Sequence, residues 1–100
     1  MNMQALMKQA QSMQKEITGI KNEVDNSVFE GKSSLVNVKV KGTKEVVDIK
    51  FLAGAKDLAN DHISMLEDMI VLALNDAFSK VDATVEKKMG KYSSMMNGLM

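Results

Sequence analysis

The chain has 100 residues, 45% of them hydrophobic, with thirteen basic residues balanced by thirteen acidic ones and no Cys. This is one domain, too apolar to remain disordered. Without Cys there can be no disulfide framework, thiolate metal site or thiol nucleophile. A formal net charge of zero leaves no strong attraction of the whole molecule to a polyanion, so any such binding must come from a local patch.

Residues 1–24 set the first element. Met3, Leu6, Ala10, Met13, Ile17, Ile20 and Val24 recur at steps of three and four, an a/d seam that predicts a helix lying along another helix. The helix is expected over residues 3–26, as an arm of roughly 35 Å, with Asp25-Asn26-Ser27 as its break. No basic segment followed by an apolar run opens the chain, so no signal peptide is expected.

The period then changes to two. Val28–Lys32 reads as a short strand. Val36, Val38 and Val40 alternate with Asn37, Lys39 and Lys41, and Val47, Ile49 and Phe51 alternate with Val46, Asp48 and Lys50. Gly42-Thr43 between the two runs predicts an antiparallel hairpin, valine-rich face inward, within a β-core over residues 28–52. A second helix is expected from about 57 to 88. Leu66, Ile70, Ala73, Ala77 and Val81 form its apolar stripe, and Asp57, Asn60 and Asp61 are candidate caps. Residues 90–100 read as a frayed tail. The longest apolar run, Met69–Leu74, is far short of the roughly 20 residues that span a bilayer. The predicted class is α+β: a long N-terminal helix, a small antiparallel sheet of two or three strands and a long C-terminal helix, in a single domain over 1–100. Leu6, Met13, Ile17, Val38, Leu66, Ile70 and Ala73 are the predicted packing positions of the core or of a dimer interface. The seam exceeds what so small a core covers, and dimerisation is the economical way to bury it.

Catalytic constellations are not visible. His62 is the one His and stands beside Asp61 with no second ligand or partnered nucleophile, which reads as an ordinary surface His. Asp57 and Asp61 suit a helix N-terminus, and Glu67-Asp68, being adjacent, cannot face one another on a helix. No metal site, cofactor site or Gly-rich phosphate loop is expected. The cations remain. All thirteen basic residues are Lys. Lys8 and Lys15, seven apart, share a side of the first helix, and Lys21 follows. Lys39, Lys41, Lys44 and Lys50 form a second cluster on the sheet. Either group reads as a phosphate contact or as a solvated face: Glu16 and Lys21 suit an interhelical pair, and lysines protect sheet edges. Without Arg, bidentate reading of guanine is poorly served.

Three segments carry a resemblance. Leu6-Met7-Lys8-Gln9-Ala10-Gln11, followed by Met13-Gln14, resembles the opening helix of the YbaB/EbfC nucleoid-associated protein family. Leu35-Val36-Asn37-Val38-Lys39-Val40-Lys41-Gly42 is similar to its central strand. Met65-Leu66-Glu67-Asp68, then Ala73, Asn75, Asp76 and Ala77, is similar to its second helix. The order and spacing match from about residue 3 to 90. The segment Glu30-Gly31-Lys32-Ser33-Ser34 departs from the family's Gly-rich stretch, and the tail lacks Pro. The resemblance implies a tweezer-shaped homodimer, bacterial, cytoplasmic and nucleoid-associated, that binds double-stranded DNA without catalysis, cofactor or small-molecule substrate and without a membrane. On that reading Lys8, Lys15, Lys21, Lys39, Lys41 and Lys44 are the candidate DNA contacts. The alternative is a structural dimer whose arms hold another protein.

Overall fold

The computed structural model describes residues 2–97. The elements are α1 (Met3–Asn26), β1 (Val28–Lys32), β2 (Val36–Lys41), β3 (Val46–Phe51), α2 (Ala55–Asp61) and α3 (Ile63–Asn97). The three strands form an antiparallel meander in the order β1-β2-β3. The α+β class expected from the sequence is the observed one.

Asn2 caps α1, its side chain accepting from the Ala5 N–H. At the far end Ser27 is already extended, and its hydroxyl donates to the Glu23 carbonyl at 2.7 Å. The chain turns there into β1. Val36, Val38 and Val40 on β2 are fully buried against Leu66, Ala73, Ala77 and Val81 of α3. Each such valine contributes about 1.5–3 kcal/mol through burial.

The closest approach of sheet and helix is at Gly31. A Cβ on this residue would lie 2.0 Å from the Ala73 carbonyl oxygen and 2.6 Å from the Ala77 nitrogen. Small residues on both sides let β1 rest directly on the α3 backbone. Polar ties flank the contact. The Lys32 N–H donates to Asp76 Oδ2 at 3.0 Å, the Ser33 hydroxyl to the Met69 carbonyl at 2.7 Å, and Lys80 Nζ to the Glu30 carbonyl at 2.8 Å. Lys80 also pairs with Asp76 at 3.3 Å. The Lys32 N–H above all, and then the Lys80 ammonium, hold the Asp76 carboxyl below the ordinary aspartate range, against a smaller opposing effect of desolvation.

Because α3 lies chiefly on β1 and β2, β3 is left out. Every residue of β3 is exposed. Pairing places Ile49 beside Val38 and Phe51 beside Val36, on the inner face, yet Ile49 is 41% and Phe51 50% exposed. A register shift between Lys39 and Val40 makes Val47 an extra residue on β3. On α3, Asp76 and Lys80 face β1. Val71 and Phe78, seven apart, therefore run along the opposite flank, on the side of β3. The inner face of β3 is thus left as an open apolar trough, bounded at Phe51 by Ala55, Lys56 and Ala59 of α2 and Leu66 of α3.

The second helix differs from its expected form. It is two helices: α2 starts from Gly54, which has φ 96°, and ends at His62, where α3 begins. The His62 N–H donates to the Leu58 carbonyl, and its own carbonyl accepts from the Met65 N–H. The cap is thus a left-handed Gly rather than Asp57, Asn60 or Asp61. The expected end near Lys88 is also displaced. α3 passes through Gly90 to Asn97, because α1 packs beside its distal half. The remaining tail positions, 98–100, lie outside the described residues.

The result is long and thin, 71 × 22 × 14 Å with a radius of gyration of 19.7 Å, where a compact chain of this length has about 13 Å. Its accessible surface is 7392 Å², against about 5,600 Å² for a compact monomer of this mass.

Two outcomes follow. Gly31→Ala costs about 3 kcal/mol or abolishes folding, because its new methyl group meets backbone rather than a flexible side chain. Gly19→Ala, with nothing within 4 Å of the added atom, stabilises by about 0.5–1 kcal/mol; urea unfolding of both variants distinguishes the sites. Asp76 has a lowered folded pKa, so its contribution is present above the unfolded value of 3.8 and is lost as pH falls through the folded value. Asp76→Asn should therefore lower the urea midpoint at neutral pH and flatten its decline below pH 4.

Candidate nucleic-acid interface

The arm is a pair of antiparallel helices. α1 lies on the distal half of α3, with Val24 buried and Met13, Ile17 and Ile20 half-buried. Three features tie the pair. Tyr92 donates its hydroxyl to Glu16, Lys88 pairs with Glu23 at 2.6 Å, and the β2–β3 hairpin closes on the root of α1. At Gly42 an added Cβ would lie 1.9 Å from the Val24 carbonyl oxygen. Beside this root, Ile20, Lys21, Val24, Asp25, Gly42, Val85 and Met89 line an open apolar cleft of about 260 Å³.

The packing sorts the charges of α1. Glu16 and Glu23 are turned to α3 by Tyr92 and Lys88, and Asp25 lines the cleft. The opposite side of the helix carries Gln4, Lys8, Gln11, Lys15, Thr18 and Asn22, at alternating steps of four and three, all exposed. This outer stripe holds hydrogen-bonding groups and two ammonium groups, and no carboxylate. Lys8 and Lys15 make no ion pair among the described residues. They stand about 10 Å apart along the axis, about three base-pair rises of duplex DNA. Polar side chains of this kind serve backbone contact without reading sequence.

The other candidate lysines are placed differently. Lys21 is exposed but lies on another flank, at the cleft with Asp25. Lys39 stands in register between Glu30 on β1 and Asp48 on β3, in a polar hollow of about 230 Å³ shared with Asn37 and Lys50. Lys41 pairs with Glu45 at 3.7 Å and Lys44 with Asp82 at 3.1 Å. Lys44 also has a left-handed backbone, φ 71°, in the turn where its N–H donates to the Lys41 carbonyl. The sheet cluster is thus interleaved with acids, whereas the α1 stripe is not. Gln4, Gln11, Thr18 and Asn22 were not singled out from the sequence. A helical wheel centred opposite the apolar seam would have found them.

Of the predicted packing positions, Val38, Leu66 and Ala73 are buried, Met13, Ile17 and Ile70 are half-buried, and Leu6 is exposed. His62 is an exposed residue at the α2–α3 junction. Among the described residues no three His, Cys, Asp or Glu side chains gather into a metal site, and no helix is long and apolar enough to cross a membrane.

Comparison with known proteins agrees with this architecture. A chain titled as an uncharacterized protein, HP0035, from Helicobacter pylori shares the fold, with a TM-score of 0.64 over 100% of this chain and 99% of that one, at 22% identity. A nucleoid-associated protein of Ligilactobacillus salivarius is 41% identical over 101 residues, covering 99% of this chain and 95% of the relative. One of Streptococcus thermophilus is 40% identical over 98 residues, covering 96% and 97%. The model of the YbaB/EbfC DNA-binding family matches residues 1–96. With that match across nearly the whole chain, and relatives near 40% identity, the protein belongs to the YbaB/EbfC DNA-binding family.

Proposed function

We propose that this protein binds duplex DNA as a homodimer, with low sequence specificity, through lysine–phosphate contacts made chiefly by α1. The observation that carries the reading is the outer stripe of α1, where Lys8 and Lys15 make no ion pair among the described residues and stand among neutral hydrogen-bonding side chains. Binding releases counterions from the phosphates, so affinity is salt-dependent. The absence of Arg disfavours bidentate base readout. Lys21 adds to the field near the body, and Lys39, set between Glu30 and Asp48, contributes less. Lys41 and Lys44, already engaged by Glu45 and Asp82, contribute less. The setting is the bacterial cytoplasm, on the nucleoid, where such coating bears on chromosome organisation and gene expression. The family membership and the naming of its relatives as nucleoid-associated support this.

The homodimer rests on the trough between β3 and α3. A free strand edge with an exposed apolar face is an aggregation hazard unless something covers it. A second copy brings the same face and closes the contact by twofold symmetry. It also doubles the number of α1 stripes, which raises affinity by linking two weak sites.

Two measurements test the two parts. Lys8→Glu with Lys15→Glu weakens binding about equally on unrelated duplexes and makes the salt dependence shallower, by roughly 0.9 in log–log slope for each phosphate no longer neutralised. Lys44→Gln changes affinity little. A sequence-selective loss would instead mean base readout, and an unchanged titration would remove α1 from the interface. Separately, Ile49→Lys places a charge in the trough and should convert the sedimenting dimer to a folded monomer. A wild-type chain that sediments as a monomer would overturn the dimer.

A further inference from the structure

A glycine interrupts each helix of the arm, Gly19 inside α1 and Gly90 inside α3. Both are exposed, and nothing described outside their own helix turns lies within 4 Å of an added Cβ. Close approach requires Gly31 and Gly42; packing requires neither of these two. Glycine softens a helix interior, because its backbone has more freedom to leave the helical conformation. The two positions coincide in height. Glu16 lies beside Tyr92 and Glu23 beside Lys88, and that antiparallel register brings Gly19 level with about residue 90 of α3. Gly19 also sits within Ile17-Thr18-Gly19-Ile20, a run of weaker helix formers in a helix otherwise rich in Gln, Met, Lys and Glu. On the body side of this level the pair is incompletely packed. Ile20 and Val24 of α1 line the open cleft together with Val85 and Met89 of α3.

We propose that this level is a joint, at which the distal arm bends as a unit relative to the body. Two helices lying side by side bend together only where both are soft at one height; elsewhere the intact helix splints its neighbour. The ties bracket the level. On the body side, the Glu23–Lys88 pair and the seating of Gly42 on the Val24 carbonyl hold the root of α1. On the distal side, buried Tyr92 holds Glu16. Each side is clasped, and the compliance is concentrated between the clasps. The distal part carries Lys8 and Lys15, whereas Lys21 stays with the body. Lys8 stands about 16 Å from Gly19 along the axis, so a bend of about 20° moves it by roughly 6 Å. The stripe can then follow the curve of a phosphate backbone while the root stays fixed. This use of the joint rests on the DNA-binding reading above; the joint itself does not.

The chain has no Cys, so spin labels can be placed in pairs. Lys32→Cys marks the body on β1, Gln11→Cys the distal arm and Asn22→Cys the root, all at exposed positions. Diluting labelled chain into excess unlabelled chain confines pulsed dipolar distances to one copy. Without DNA, the distance from position 32 to position 11 should spread at least twice as widely as that from 32 to 22. Gly19→Ala together with Gly90→Ala should narrow the first spread to that of the second, with no loss of helical circular dichroism. Equal spreads without the alanines, or a wide spread that the alanines leave as it was, would overturn the joint. A bound duplex should also narrow the distance from 32 to 11. No narrowing on a duplex that does bind would overturn the use of the joint in DNA binding. Failure to bind any duplex would appear in the salt titrations and count against the DNA reading, not against the joint.

Discussion

The contact between Gly31 and the backbone of α3 is the constraint on which the molecule depends. Because Ala73 and Ala77 present only methyl groups, β1 seats on the helix itself, and the three buried valines of β2 follow beside it. That seating fixes where the sheet lies along α3: over its proximal half. The distal half is left apolar on the same side, at Val85, Met89 and Tyr92, and α1 fills it. Sheet and α1 are thus successive occupants of one long helix. The narrow helix face cannot also reach β3, so the same seating that builds the core leaves the third strand uncovered.

The electrostatics follow from that packing. The molecule is neutral overall, so an exposed cationic surface exists only where acids have been taken away. On α1 they have been: Glu16 is engaged by Tyr92 and Glu23 by Lys88, both from α3. The ion pairs themselves are exposed and add little stability. Their larger effect is on the outer stripe, which holds Lys8 and Lys15 and no carboxylate of its own. On the sheet the opposite happens. Cross-strand pairing sets Lys39 between Glu30 and Asp48, which suits strand pairing and weakens the local field.

What the sequence made legible follows the same division between local and distant causes. The heptad of α1 and the alternation of Val36, Val38 and Val40 are written in consecutive residues, and periodicity reads them directly. The cap at Gly54 is not, since three acidic or amide candidates followed it and only the backbone's left-handed turn decides between them. The helix end expected near Lys88 was displaced for a distant cause: α3 runs on through Gly90, although Gly costs about 1 kcal/mol in a helix interior, because α1 packs beside it. The exposure of Ile49 and Phe51 could not be read at all. Alternation tells which face a side chain takes, and nothing about whether a helix lies over that face. Lys8 and Lys15 were visible as a spaced pair, whereas the Lys44–Asp82 pair joins residues far apart in the chain and exists only in the fold.

These constraints explain why so small a chain is so extended. A compact arrangement would fold α1 back over β3 and bury the surplus apolar surface within one copy. Two close approaches forbid it. Gly42 is packed against the Val24 carbonyl at the root of α1, and Ser27 leaves the helix straight into β1, so α1 is held pointing away from the sheet. Exposed apolar surface therefore remains on the inner face of β3, at Ile49 and Phe51. The polar stripe of α1, with Lys8 and Lys15, lies on a different element, the outer side of the arm. The apolar face and the cationic face are set apart by the same packing, and neither occupies the other's surface.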